Sequence, residues 1–190
     1  MKRREFITLG SCAAAVRVLG DVVPEVDLAG TSVGDFRKAV ERIERTRVGD
    51  VEGRAGALEI LQKYIYAMKT GGPYEKFSQA GLSLSAEEVK NVHETYPVLW
   101  WYDRAFDKVR DELRTTRVTG DVPAVWYVYN MGIVVKTKTC AFAIDICHRK
   151  AVELVPDLDF ALVSHSHQDH YQPDFVVAMD KAGKPSFTNF

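Results

Sequence analysis

A mixed α/β chain, with helices first and a layered sheet after them, is the fold class that three observations predict. Apolar residues recur at helical spacing from about Ser32 to Thr116. After Gly120 the pattern changes to short β-branched and aromatic runs separated by turn residues. A mostly apolar run, "FALVS", then delivers the chain directly into a histidine-rich loop, "HSHQDH". These shifts divide the sequence into residues 1–30, a helical segment at 31–119 and a sheet segment at 120–190.

The first segment opens with Arg3 and Arg4 ahead of Phe6 and Ile7, then runs through small and apolar residues. Such a start has two readings. One is an export signal and linker, since "RREFI" resembles the core of a bacterial twin-arginine signal and implies a periplasmic or exported protein. The other is a basic N-terminus leading into a short surface helix of a cytoplasmic protein. A lipoprotein reading at Cys12 has only Phe6 to Leu9 as its apolar core. No window holds the ~20 uninterrupted apolar residues that a spanning helix needs.

In the helical segment, Ser32 with Asp35 three residues on forms a capped start, and Phe36, Val40 and Ile43 fall on one stripe. A second helix is expected over 55–69, with Leu58, Leu61, Ile65 and Met68 inward and Gly71-Gly72 as its stop. Ser85 with Glu88 starts a third. Pro97 suits the first turn of a fourth, whose buried face is expected to carry Trp101, Ala105, Val109 and Leu113. The cluster Trp100, Trp101 and Tyr102 reads either as core or as a substrate wall.

In the sheet segment, "AVWYVYN", "GIVVKT" and "CAFAID" are expected to pair as an antiparallel meander. "FALVS" is expected to be a strand covered on both faces. "PDFVVAMDKAG" reads as a short helix closed by Gly183, and "PSFTNF" as a further strand.

Composition narrows the function. The 190 residues are 46% hydrophobic and 27% charged, as in folded domains. A net charge of −1 provides no basic field for nucleic acid, and no base-stacking motif accompanies it. The three cysteines, Cys12, Cys140 and Cys147, lack the spacing of a disulfide framework or a zinc ribbon. Cys140 and Cys147, an odd number of residues apart on an extended segment, point to opposite faces and are not expected to pair.

The chemistry concentrates in one place. His165 and His167, one residue apart, can in an extended loop turn both imidazoles to one metal ion, with Asp169 and His170 at an adjacent position. Imidazole and carboxylate suit zinc, iron or manganese, and the lack of a thiolate argues against a closed structural zinc site. The bland alternative is a histidine-rich surface loop. His93 and His148 lie away from the loop and read as surface or core residues.

The pattern His165-x-His167-x-Asp169-His170 after an apolar strand resembles the signature of the metallo-β-lactamase-fold hydrolases. The resemblance spans about Asp121 to Phe190 and implies the N-terminal half of an αββα sandwich, preceded here by the helical segment. It implies two divalent metals, His165 and His167 on the first, Asp169 and His170 on the second, with Asp169 also orienting the water nucleophile. Asp145 resembles the family's support aspartate, although Ile146, Cys147 and His148 stand where family members often have Pro or Gly. The family also draws further ligands from downstream sequence, and no histidine follows His170 here. The expected function is therefore hydrolysis of a small-molecule ester, lactone or phosphodiester, with the site incomplete in this chain. The alternative is a non-catalytic half-protein that binds metal weakly or pairs with a complementary chain or another copy.

Overall fold

The computed structural model describes residues 31–47, 49–67, 72–128 and 131–190; the arginine pair and Cys12 lie outside them. Helices α1 (Val33–Arg45), α2 (Val51–Ala67), α3 (Gly72–Gln79), α4 (Ala86–Thr95) and α5 (Pro97–Thr115) come first. Strands β1 (Ala124–Tyr127), β2 (Ile133–Lys136), β3 (Ala141–Ile144) and β4 (Phe160–Val163) follow, then α6 (Pro173–Lys181) and β5 (Ser186–Thr188). The result is a mixed α/β fold.

Local rules account for most helix starts. Ser32 and Asp35 exchange a reciprocal capping box, as do Ser85 and Glu88, so each serves two amides that the helix leaves unpaired. Phe36 and Val40 are buried, and Ile43 packs against them. Helix α2 begins four residues before the expected start, because the Asp50 carboxylate accepts the Gly53 amide at 2.8 Å and caps the turn. Its inward face also differs: Ala57, Leu61 and Tyr64 are buried while Leu58 is 49% exposed. The helix ends at Ala67, and Gly72 opens α3 instead of closing α2; Met68 and Gly71 lie outside the described residues.

On α5 Val109 and Leu113 are buried as expected, while Tyr102 and Phe106 are buried in place of Trp101 and Ala105, which are half-buried. Long-range contacts set this rotation. The Tyr102 hydroxyl donates to the Cys147 carbonyl, and the Phe106 ring stacks on His148 with centroids 4.0 Å apart. Of the three aromatics, Tyr102 is core, Trp101 meets Phe36 edge-on and Trp100 borders an open cavity.

The sheet runs β1-β2-β3-β4-β5, with β1 to β3 an antiparallel meander and β3, β4 and β5 parallel. Register sorts its side chains into two faces. Val134, Ala143 and Ala161 point into the same core as Phe106, Leu113, Phe175 and Met179, so helices and sheet share one interior. Lys136 ties them further by donating to the Leu113 carbonyl at the end of α5, at 2.6 Å.

The opposite face is apolar throughout. Register places Val125, Tyr127, Ile133, Val135, Phe142, Ile144, Phe160, Leu162 and Phe187 on it. Val125, Tyr127 and Phe187 are 59%, 70% and 56% exposed, and the central residues are half-buried by one another. The expectation that β4 is covered on both faces is thus corrected: Ala161 and Val163 are buried, but Phe160 and Leu162 are not. Its continuous apolar run reflects an apolar face that no described helix covers.

Candidate metal-binding loop

Because β3 and β4 are parallel, both deliver their C-terminal ends to one rim of the sheet. Asp145 follows β3 and Ser164 follows β4. The Asp145 amide donates to the Leu162 carbonyl at 3.0 Å, after which its backbone turns left-handed, with φ of 51°. Aspartate tolerates that conformation better than most residues, at a cost in strain.

The turn aims the Asp145 carboxylate at the start of the histidine loop. It accepts the Ser164 amide at 2.7 Å and the Ser164 hydroxyl at 2.7 Å, and it lies 3.1 Å from His170 Nδ1. Burial pushes the carboxyl upward, but the Ser164 amide and hydroxyl and the His170 imidazole outweigh it and hold it below its ordinary range. Asp145 is ionised at neutral pH. A carboxylate on Nδ1 favours the tautomer with the proton there, which leaves the Nε2 lone pair of His170 as its donor.

The loop is bent and not extended, which corrects the expected geometry. The His170 amide donates to the His167 carbonyl at 3.0 Å and closes a turn. His165 therefore lies nearer to His170 than to His167: their ring centroids are 3.7 Å apart, against 4.4 Å for His165 and His167 and 6.4 Å for His167 and His170. Asp169 Oδ1 is 3.9 Å from His170 Nε2. All four expected ligands and Asp145 are thus gathered at one rim.

Donor type and the orienting Asp145–His170 pair fit a divalent metal. Convergence is the missing property. Among the described residues no group of three or more His, Cys, Asp or Glu side chains is disposed to hold a metal ion.

Comparison with protein-family models, curated proteins and solved structures returned no match.

A second polar cluster escaped the sequence reading. Asp103, 4% exposed on α5, accepts the Arg149 Nε at 3.0 Å. Its carboxylate oxygens also lie 3.1 Å from His148 Nε2 and 3.2 Å from His93 Nε2. His148 is therefore a core residue, and His93 joins it on the same carboxylate rather than at the histidine loop. Beside this cluster lies an open cavity of about 690 Å³, walled by Trp100 and by the paired charges Arg104–Glu44 and Lys150–Asp107. One signal was present in the sequence, a charged residue set between the apolar positions Tyr102 and Phe106.

Cys140 and Cys147 are free thiols. Burial pushes the Cys147 thiol up to about 12, so it stays protonated and is a poor nucleophile. Among the described residues no helix is long and apolar enough to cross a membrane.

Proposed function

We propose that this chain carries the first part of a two-metal hydrolytic site of the metallo-β-lactamase kind, acting on an ester, lactone or phosphodiester of a small molecule. The observation that carries the proposal is the Asp145–Ser164–His170 unit. At the ends of two parallel strands a carboxylate orients His170, and a hydroxyl bonded to that carboxylate lies 2.9 Å from His165 Nδ1 and 3.3 Å from His170 Nδ1, within a cluster of three imidazoles. Metal-ligating histidines are held in this manner.

His165 and His167 hold one ion in this reading, and Asp169 and His170 the other. Zinc suits these ligands first, with iron or manganese as alternatives. When bound, such a pair supplies a water of lowered pKa and a Lewis acid for the attacked bond. Asp169 Oδ1, beside His170 Nε2, is placed to accept a proton. Asp145 keeps His170 in one tautomer. Further ligands come from polypeptide other than these residues. In this reading the twin-arginine-like start directs the protein out of the cytoplasm, and cell fractionation of the tagged chain separates that from the cytoplasmic alternative.

The uncovered apolar face favours a second reading, a half-protein that completes its site only with a complementary chain. A sheet with two apolar sides needs a layer on each. Neither reading gives turnover of lactone or phosphodiester substrates without the further ligands: activity is expected only with the polypeptide that supplies them, joined covalently in the first reading and added as a separate chain in the second.

Elemental mass spectrometry after zinc loading and gel filtration tests the common premise. Retained zinc is expected in the wild type and loss of it in His167→Ala. Asp145→Asn is expected to weaken zinc about 10–100-fold in a chelator competition, the usual effect of removing an orienting carboxylate. Equal, negligible retention in all three proteins contradicts the metal site.

A further inference from the structure

We propose that Gln79, at the C-terminal end of α3, is a positioning residue that sets the placement of Asp169 and His170. Its Nε2 donates to the Gln168 carbonyl at 2.8 Å and to the Tyr171 carbonyl at 3.1 Å. These two carbonyls bracket Asp169 and His170 in the chain. The two shorter contacts of this side-chain amide thus go to the stretch that carries the second pair of expected ligands, and a longer one, at 3.6 Å, goes to Cys147 Sγ.

The surroundings make this a fixed brace. The Cys147 thiol also donates to the Gln168 carbonyl, at 3.1 Å, so that oxygen is held from the helical and the sheet segments at once. Just past α3, Gly81 is left-handed, with φ of 58°, and a Cβ there would sit 2.8 Å from Asp174 Oδ2 and 3.5 Å from Gln172 Nε2. The α3 terminus therefore lies directly against the start of α6. Gln172, 1% exposed, caps α6 through its Oε1, which accepts the Phe175 amide at 2.7 Å. The loop is thus anchored at one end by Asp145 on Ser164, at the other by Gln172, and between them by Gln79.

Ion placement in such a site tolerates little drift, because ligand nitrogens and oxygens must meet a metal within a few tenths of an ångström. The consequence is specific. No described contact of Gln79 reaches His165 or His167, so loss of the brace loosens the second ligand pair and leaves the first in place. The helical segment then serves the site directly.

The inference rests on the proposed roles of Asp169 and His170, but the brace itself is testable without metal. Hydrogen exchange of the metal-free protein is compared between wild type and Gln79→Met, which keeps length and bulk and removes the donor. Exchange in the peptide covering Gln168–Tyr171 is expected to rise about tenfold while the α1 peptide is unchanged. Unchanged loop exchange overturns the proposal, and so does an equal rise in every peptide, which marks a general packing role. Gln79→Lys restores a donor and is expected to return the loop toward wild-type exchange; if Gln79→Met does not fold, a loop in Gln79→Lys as open as an unbraced one overturns the proposal. Zinc titration of the wild type is read separately: no binding removes the hydrolase reading, and exchange still decides the positioning role.

Discussion

Asp103→Ala is expected to destabilise the protein by about 3–5 kcal/mol, the range for breaking a buried ion pair by removing one partner. The carboxylate is 4% exposed and faces Arg149, His148 and His93. Burial alone pushes its pKa up, yet the two imidazoles and the guanidinium outweigh burial and hold it far below the usual carboxylate range. Truncation strands the Arg149 guanidinium, whose side chain is only 11% exposed, without a counter-charge. Asp103→Asn keeps an acceptor in the same place and is expected to cost less. Urea midpoints at pH 7, at constant slope, measure both. A loss under about 1 kcal/mol for alanine, the scale of a surface pair, contradicts this assignment.

Stability is expected to fall as pH is lowered from 6.5 toward 4, and His148 is the cause. The ring is fully buried between the faces and edges of Phe106 and Tyr102. Its Nδ1 accepts the Lys150 amide at 3.1 Å, which leaves Nε2 to carry the proton toward Asp103. Burial is the largest influence and, despite Asp103, lowers the pKa from 6.5 to about 4. Over that interval the unfolded chain binds a proton that the folded chain refuses, so stability rises with pH and is lost on acidification. The slope approaches about 1.4 kcal/mol per pH unit, and the loss by pH 4 is on the order of 3 kcal/mol. The depressed carboxylates, Asp103 included, have the opposite titration range: their stabilisation is complete above their unfolded pKa values and declines only below them. Between pH 6.5 and 5 the slope therefore belongs to His148. His148→Gln, which does not titrate, is expected to flatten it in urea melts across this range; an unchanged slope assigns it elsewhere.

Both predictions concern residues whose meaning was hidden in the sequence, and the reason is separation. Ser32–Asp35, Ser85–Glu88 and Pro97 were legible because a cap is settled within four residues. The meander was legible because its turns lie between adjacent runs. Asp145, His165, His167, Asp169 and His170 were legible as a group because Asp145 follows directly on β3 and the histidine loop follows β4, and parallel strands bring their ends together. The Asp103 cluster draws on α4, α5 and the segment after β3, and no short window contains it. Gln79 meets its carbonyl partners across 89 and 92 residues. The first half of the α5 face was misjudged by one position for the same cause, since Tyr102 turns inward to a carbonyl 45 residues away.

The left-handed backbone at Asp145 limits which residues that position can exchange for over time. Two demands meet there, a positive φ and a carboxylate short enough to reach Ser164 and His170 together. Glycine satisfies the first and loses the second. Asparagine keeps the conformation but offers a neutral amide where an ion faces the imidazole. Glutamate keeps the charge, yet it is poorly suited to this backbone and its longer stem displaces the oxygens. Each neighbouring step in sequence space therefore surrenders either the turn or the tautomer, which makes aspartate at 145 a narrow solution and close relatives lacking it poor guides to this loop.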